Sequence, residues 1–153
     1  MIQTRVGDAV VLDIFSGTGQ IGIEAVSRGA SKAYMVDRAG SAISVIRSNL
    51  QKIRADKDPR FVVLKSGYQN ALKSLGEQGI RFDIIFLDPP YDIAHRCSVE
   101  IADLVNSLDL LSEDGIMIVE SSSELPFDTD VINLQFNRSC RYGLTMITFF
   151  SKG

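Results

Sequence analysis

The chain has 153 residues, which suits a single domain, and its 45% hydrophobic and 23% charged residues are close to the average for globular proteins. This composition excludes a disordered chain, a collagen-like repeat and a disulfide-rich mini-protein. The net charge of −3 is not that of a basic nucleic-acid-binding domain, although most of the basic residues gather in the first 65 positions. The two cysteines, Cys97 and Cys140, form no disulfide framework, so we expect reduced thiols in a cytoplasmic protein.

Short apolar runs alternate with helical patterns along most of the chain. Strands are predicted over Ala9–Phe15, Lys32–Val36, Phe61–Leu64, Phe82–Leu87 and Ile116–Glu120. Helices are predicted between them, over Gln20–Arg28, from a cap at Ser41 through an apolar face ending at Ile53, over Asn70–Leu75, and from about Cys97 to Leu108. This order predicts a parallel sheet with helices on both faces.

The pattern changes after Glu120. Val131–Phe136 and Leu144–Phe150 alternate between apolar and polar residues, and Asn137–Gly143 between them has the length of a hairpin connection. We therefore predict an α/β fold with a doubly wound, mostly parallel seven-stranded sheet that ends in an antiparallel hairpin.

A glycine loop follows the first predicted strand. Gly17–Gly22 (GTGQIG) matches G-x-G-x-x-G between a strand and a helix, and Asp37 follows twenty residues after Gly17 at the end of the second strand. Glycine permits a tight turn and the close approach of a nucleotide, and a carboxylate can accept both ribose hydroxyls. The loop therefore predicts a cofactor that contains a nucleoside.

Two classes of cofactor suit this loop, and Asp13 bears on the choice. A dinucleotide places its pyrophosphate at the helix N-terminus, where a carboxylate four residues before Gly17 would repel it. S-adenosyl-L-methionine instead carries a sulfonium and an ammonium, and opposite charges about 4 Å apart attract by ~4 kcal/mol at an effective dielectric of about 20. We expect S-adenosylmethionine, with a nicotinamide dinucleotide as the alternative.

The segment Asp88-Pro89-Pro90-Tyr91 closes the fourth predicted strand. Ligands of open parallel sheets lie outside the carboxyl ends of the strands, so we expect this segment to face the glycine loop across one crevice. The prolines donate no N–H and form a stiff wall with acceptor carbonyls. A planar substrate with an exocyclic amine could donate to Asp88 and the Pro89 carbonyl while it stacks on Tyr91.

Three segments carry a distinctive combination of motifs. They are Val11–Gly19 (VLDIFSGTG), Ile23–Ala30 (IEAVSRGA) and Phe82–Tyr91 (FDIIFLDPPY). Together they resemble the RsmD family of bacterial small-subunit rRNA guanine-N2 methyltransferases, and Tyr142–Thr145 (YGLT) extends the likeness over almost the whole chain. The DPPY segment alone is shared with adenine-N6 and other amino methyltransferases, whereas the helix after the glycine loop points to this family.

The resemblance implies the fold of the class I S-adenosylmethionine-dependent methyltransferases and a role for each motif. Asp13, Gly17 and Gly19 would hold the methionine part of the cofactor, and Asp37 would bind its ribose. The turn Ser66-Gly67-Tyr68 would border the adenine, and Asp88 to Tyr91 would receive a flipped guanine. The remaining residues that we expect at the cofactor are Phe15, Ser16, Thr18 and Arg38, together with Asp88, which would contact both the cofactor and the base.

The chain departs from the family pattern in three places. Gly67 stands where many relatives carry an acid, and Ala39 stands where a second acid often follows the ribose acid. The chain also begins almost at the first strand, and Met1-Ile2 resembles the end of a preceding helix. We expect one methyltransferase domain over residues 1–153 without the family's basic N-terminal extension, and therefore weak RNA binding, because phosphate contacts dominate RNA affinity.

The predicted reaction is methylation of a guanine N2 amine in 16S rRNA or in the assembled small ribosomal subunit, by a monomer. His95 is the single histidine and no ligand cluster has metal spacing, so we expect no metal. The alternatives are methylation of adenine N6 or another planar amine, and a cofactor-binding domain with little activity.

Overall fold

The computed structural model describes residues 6–153, so Met1 and Ile2, where the end of a helix was expected, lie outside the described residues. The strands in that range are β1 (Val10–Ile14), β2 (Lys32–Asp37), β3 (Phe61–Lys65), β4 (Phe82–Leu87), β5 (Leu111–Ser122), β6 (Gln135–Tyr142) and β7 (Thr145–Ser151). The α-helices are α1 (Gln20–Ser27), α2 (Gly40–Lys52), α3 (Tyr68–Glu77) and α4 (Ala94–Ser107), with short 3₁₀ turns at Tyr91–Ile93 and Thr129–Val131.

All seven of these strands form one sheet in the order β3-β2-β1-β4-β5-β7-β6. The first five strands run parallel, and β7 is antiparallel to both β5 and β6. The chain winds outward from β1 in one direction and returns through β4 in the other, which leaves a crevice at the carboxyl ends of β1 and β4. This topology confirms the predicted fold class.

Helices cover both faces of the sheet because side chains of each strand alternate between them. Leu12 points to a core shared with α3 and α4. Its neighbour Val11 points to the other face, where it packs in a cluster with Val26 of α1. On that same face Met35 packs with Ile46 of α2. None of the helices within residues 6–153 has the length and apolar character that a membrane span requires.

The predicted Ser41 cap of α2 is wrong. The helix begins at Gly40, with Ala39 as its N-cap residue and no side-chain cap hydrogen bond. The carboxylate of Asp37 accepts a hydrogen bond from the Ala39 N–H at 3.0 Å, and this contact turns the chain before Ser41 is reached.

The apolar face of α2 is also shorter than predicted. Ile43, Ile46 and Leu50 are buried, but Ile53 follows the helix and is 53% exposed. Arg54 has a φ of 59°, a left-handed conformation that ends the helix. Ile53 therefore lies beyond the end of the helix and does not continue its buried apolar face.

Two helices and one strand begin earlier than predicted. Helix α3 begins at Tyr68 rather than Asn70, α4 at Ala94 rather than Cys97, and β5 at Leu111 rather than Ile116. Neither helix has a side-chain cap that could mark its start in the sequence. The early part of β5 is separated from the rest by a register shift, which interrupts the apolar pattern.

The C-terminal hairpin is confirmed, but its predicted boundaries are wrong. Strand β6 is Gln135–Tyr142, and Gly143, with a φ of 61°, begins a tight turn into β7. Most side chains of β6 are exposed, so a polar run pairs with β7 where the pattern predicted a loop. Val131, predicted in a strand, lies in the 3₁₀ turn that the Asp128 carboxylate caps at the Asp130 N–H.

Candidate active site

Four acidic side chains stand in a row where four neighbouring strands end. They are Asp37 at the end of β2, Asp13 in β1, Asp88 directly after β4, and Glu120 near the end of β5. Leu87, the last residue of β4, pairs with β1 on one side and with β5 on the other. The shared register brings the acids of β1, β4 and β5 to one edge of the sheet.

Asp13 is the buried member of this row. It is 1% exposed, and its Oδ2 atom has no hydrogen-bond partner among the described residues. Burial raises its pKa to about 7, a hydrogen bond from Ser16 lowers it, and the charges of Asp88 and Asp37 raise it. The Asp13 side chain is close to Asp37 and Asp88, and at neutral pH it is partly protonated rather than fully ionised.

The glycine loop between β1 and α1 is folded by its own backbone. Gly17 and Gly19 have φ values of 58° and 79°, which favour glycine, and the Gly19 N–H donates to the Ser16 carbonyl at 2.9 Å. No atom lies within 4 Å of where a Cβ of Gly17 would stand, so that side of the loop is open. At Gly22 a Cβ would lie 2.7 Å from the Met35 side chain, so this glycine lets α1 pack closely on the sheet.

Asp37 ties the glycine loop to the end of β2. Its carboxylate accepts hydrogen bonds from the N–H groups of Gly17 and Ala39, each at 3.0 Å. The Asn49 side chain of α2 donates to the Thr18 carbonyl at 2.9 Å and holds the loop from its other side. The loop is therefore fixed in place before any ligand binds.

Two adjoining cavities form one cleft above these carboxyl ends. The first, of about 650 Å³, extends from Asp37 to the Asp88–Tyr91 segment. The second, of about 220 Å³, contains Gly67 and Tyr68. The residues that line both cavities are Phe15, Asp37, Arg38 and Ile93. The predicted ribose acid, adenine turn and acceptor segment thus share a cleft, whereas Asp13 and the residues from Ser16 to Gly19 lie outside its lining.

Phe15 stands at the junction of the two cavities. Its φ of 65° is a left-handed conformation that is rare for a bulky residue and typical of constrained functional sites. Its ring centroid lies 5.7 Å from that of Tyr68, with an angle of 57° between the planes. Burial, and then hydrogen bonds with Glu100 and Cys97, raise the pKa of the Tyr68 phenol above its ordinary value. The pair forms a neutral aromatic wall.

The Asp88–Tyr91 segment turns sharply out of β4. Pro89 is buried, whereas Asp88 is exposed and Tyr91 is 56% exposed. The Pro90 carbonyl accepts the Ile93 N–H at 3.1 Å, which closes the 3₁₀ turn. The Pro90 carbonyl is therefore already engaged within this turn, and the acceptor role expected of the Pro89 carbonyl stays a prediction.

Glu120 received no role from the sequence. Its side chain shares a hydrogen bond with Asp88, and its pKa is raised to about 7 by burial first and then by that hydrogen bond and the charge of Asp88. The only signal in the sequence was an acid at the end of a predicted strand, which is too common to be diagnostic.

The opposite edge of the sheet carries a separate cavity of about 650 Å³, lined by residues that include Asp8, Asp83 and Glu113. It contains none of the predicted site residues. Within residues 6–153, no group of three His, Cys, Asp or Glu side chains is placed to hold a metal ion.

A doubly wound sheet with this hairpin, and with a nucleoside-type loop facing a DPPY segment, defines a class I S-adenosylmethionine-dependent methyltransferase. A solved structure described as a conserved hypothetical protein of Streptococcus pyogenes superposes with a TM-score of 0.81 at 31% identity, covering 95% of this chain and 86% of that one. The family model described as "Conserved hypothetical protein 95" matches residues 1–151. The chain belongs to this family of RsmD-like methyltransferases, whose cofactor is S-adenosylmethionine, which confirms the predicted family and cofactor.

Two named relatives are similar over most of the chain. "Putative rRNA methyltransferase YlbH" of Bacillus subtilis is 33% identical over 141 residues, which cover 92% of this chain and 74% of the relative. "Ribosomal RNA small subunit methyltransferase D" of Escherichia coli is 29% identical over 131 residues, which cover 86% of this chain. The match spans 62% of the length of the E. coli protein.

Proposed function

We propose that the chain methylates the exocyclic N2 amine of a guanine in small-subunit rRNA. The observation that carries the proposal is the single cleft in which Asp37 and Tyr68 stand at one end and the Asp88–Tyr91 segment at the other. The names of the B. subtilis and E. coli relatives support rRNA as the substrate, and the E. coli name supports the small subunit.

The described residues fit S-adenosylmethionine. The Oδ2 atom of Asp13 is buried without a partner, and an unpaired buried carboxyl is stabilised by a cation. Gly17 leaves open space beside the loop, and Asp37 can accept ribose hydroxyls with the lone pairs that its two backbone contacts leave over. When bound, the cofactor supplies a methyl group that leaves its sulfonium for a nucleophile.

The smaller cavity suits the adenine of the cofactor. Phe15 and Tyr68 supply the aromatic wall, Gly67 closes the cavity with its backbone, and Arg38 lines both cavities beside Asp37. Ser16, Thr18 and Gly19 lie outside the lining and act by shaping the loop. In this assignment the predicted cofactor residues other than Asp13 either line the cleft or form the loop beside it, and Asp13 lies buried next to them.

Asp88 and Pro89 prepare the amine for reaction. The lone pair of an aryl amine is delocalised into the ring, which makes it a poor nucleophile. Hydrogen bonds from the two amine protons to the Asp88 carboxylate and the Pro89 carbonyl hold the nitrogen in the attacking orientation, and the carboxylate stabilises the positive charge that develops there. The proton that nitrogen loses passes to Asp88, which is exposed to solvent. Tyr91 stacks on the base and fixes its plane.

The target base must leave its stack to enter this cleft. Unpaired rRNA makes that step less costly, and sequence-specific RNA recognition commonly uses splayed bases on aromatic side chains. We further propose that the protein acts in the cytoplasm and that it is a monomer. Size-exclusion chromatography with light scattering tests the oligomeric state.

Methyl transfer to small ribosomal subunits that lack the modification tests the function. Wild-type protein with labelled S-adenosylmethionine should yield N2-methylguanosine by mass spectrometry of the digested rRNA. Asp88→Ala should reduce the rate by about 100-fold or more, the scale of losing one electrostatic contact to the transition state. The matched control is Glu124→Ala, because Glu124 is an exposed acid outside the cleft.

The other outcomes identify the alternatives. N6-methyladenosine as the product would replace guanine by adenine as the substrate. Cofactor binding by calorimetry without any methyl transfer would indicate a cofactor-binding domain with little activity. Binding of NAD in preference to S-adenosylmethionine would overturn the assignment.

A further inference from the structure

We propose that Glu120 selects guanine, by accepting a hydrogen bond from the base N1–H while Asp88 accepts one from the N2 amine. This inference rests on the proposed function and identifies the residue that chooses the base.

The fold places the two acids side by side. β4 and β5 are parallel and in register at Leu87 and Val119, so the next residues along the two strands are Asp88 and Glu120. Their side chains share a hydrogen bond, and Glu120 is only partly buried. The two carboxyl groups therefore lie next to each other at the carboxyl ends of β4 and β5, beside the segment that we propose receives the base.

No basic side chain within residues 6–153 forms an ion pair with Asp88 or Glu120, although Arg38 lines the same cavity as Asp88. On the other side of Glu120, β7 pairs it with the apolar Ile147, and Cys140 of β6 follows in the same row. Asp13 of β1 lies beyond Asp88 and adds another acid. The ion pairs found within residues 6–153 involve none of these acids. Two neighbouring acids that form no ion pair gain from a ligand with two adjacent hydrogen-bond donors.

Guanine has that pattern and adenine does not. The Watson–Crick edge of guanine presents N1–H and the N2 amine next to each other, both as donors. Adenine presents its N6 amine next to N1, which is an acceptor. An ionised carboxylate only accepts hydrogen bonds, so Glu120 would attract N1–H of guanine and repel N1 of adenine.

The protonation state of Glu120 provides an independent test. Burial, the hydrogen bond to Asp88 and the charge of Asp88 raise its pKa to about 7. A protonated Glu120 could donate to N1 of adenine, whereas an ionised one cannot. The preference for guanine over adenine should therefore rise between pH 6 and pH 8.

The experiment compares subunits that differ in one base. Small ribosomal subunits are reconstituted from transcripts with guanine or adenine at the nucleotide that the wild-type protein modifies. kcat/KM is measured on both, at pH 6 to 8, for wild type, Glu120→Gln and Glu124→Gln. Glu124→Gln removes the same charge from an exposed position outside the cleft and should behave as wild type.

Glu120→Gln should change the choice of base. The glutamine amide can donate to N1 of adenine, so the guanine-to-adenine ratio of kcat/KM should fall about tenfold or more and lose its pH dependence. A merely structural role would lower both rates and leave the ratio unchanged.

The outcomes separate this inference from the proposed function. A wild-type protein that modifies no small subunit overturns both. Guanine methylation by the wild type with an unchanged ratio in Glu120→Gln overturns the role of Glu120 alone. If the variant fails to fold, the wild-type protein still provides a test: a guanine-to-adenine ratio of kcat/KM that does not change from pH 6 to pH 8 overturns the role of Glu120.

Discussion

Replacing Asp13 with asparagine should stabilise the cofactor-free protein and weaken cofactor binding at the same time. Asp13 is 1% exposed and its pKa is raised from 3.8 to about 7, first by burial. A shift of roughly 3 units corresponds to about 4 kcal/mol of unfavourable free energy once the buried carboxyl is ionised. Asparagine has nearly the same shape and no charge, so the variant avoids this cost.

The sign of the effect follows from proton binding. Between about pH 4 and pH 7 the folded state keeps a proton on Asp13 that the unfolded state has lost, so the stability contributed by this group falls as pH rises through that window. The advantage of Asp13→Asn over wild type should therefore grow by about 2–3 kcal/mol from pH 5 to pH 8. The raised pKa of Glu120 also makes stability fall as pH rises, but it does so in wild type and in Asp13→Asn alike. The difference in stability between the two proteins therefore reports on Asp13.

Urea unfolding of both proteins at pH 5 and pH 8 measures this difference, with Asp103→Asn on the exposed side of α4 as the matched control. Calorimetry with S-adenosylmethionine should show weaker binding to Asp13→Asn at pH 8, where the wild-type carboxylate is ionised. A variant that is no more stable than wild type at pH 8, or whose gain is equal at both pH values, would refute the assignment of a destabilising buried carboxyl.

Three further substitutions test other parts of the site. Gly22→Ala places a Cβ 2.7 Å from the buried Met35 side chain and should lower the unfolding free energy by about 1–3 kcal/mol, whereas Gly7→Ala, with no atom within 4 Å, should have little effect. Asp37→Asn should weaken S-adenosylmethionine binding in calorimetry about tenfold or more, because one charged acceptor is lost; unchanged affinity would remove Asp37 from the ribose site. Tyr91→Ala should lower kcat/KM about 10- to 100-fold and Tyr91→Phe far less, with little change in melting temperature because the ring is 56% exposed.

The fold was largely predictable because its signals are strong and local. Ile84, Ile85 and Leu87 belong to an almost unbroken apolar run, which a strand buried on both faces requires. The predicted ends of helices and strands were wrong where that signal is missing. β6 is an exposed edge strand whose polar residues carry no burial pattern, and α2 begins at a contact between Asp37 and Ala39 that no cap motif announces.

The residues of the candidate site that belong to a sequence motif could be predicted, whereas those placed there by the pairing of strands could not. Gly17, Asp37 and the Asp88–Tyr91 segment stand at strand ends that the alternating pattern identifies, and the structure places the last two in one cleft. The position of Glu120 beside Asp88 depends on the pairing of β4 with β5, which joins residues far apart in the chain. The partial protonation of Asp13 depends on its burial, which a sequence motif does not specify.

Two acids of the row, Asp13 and Glu120, destabilise the protein in the absence of its ligands when they are ionised, and such a cost is expected at a binding site. Among the described residues, the basic side chains that form ion pairs do so elsewhere on the surface, such as Arg60 with Asp58 and Arg28 with Glu24. Asp13 and Glu120 instead have pKa values raised by burial and by neighbouring acids, so they would be easier to fold as neutral residues. Residues that cost stability in the free protein are expected where function requires them. A cationic cofactor over Asp13 and a base with two donors against Asp88 and Glu120 would each remove part of that cost, so the binding of either ligand should increase thermal stability more at pH 8 than at pH 6.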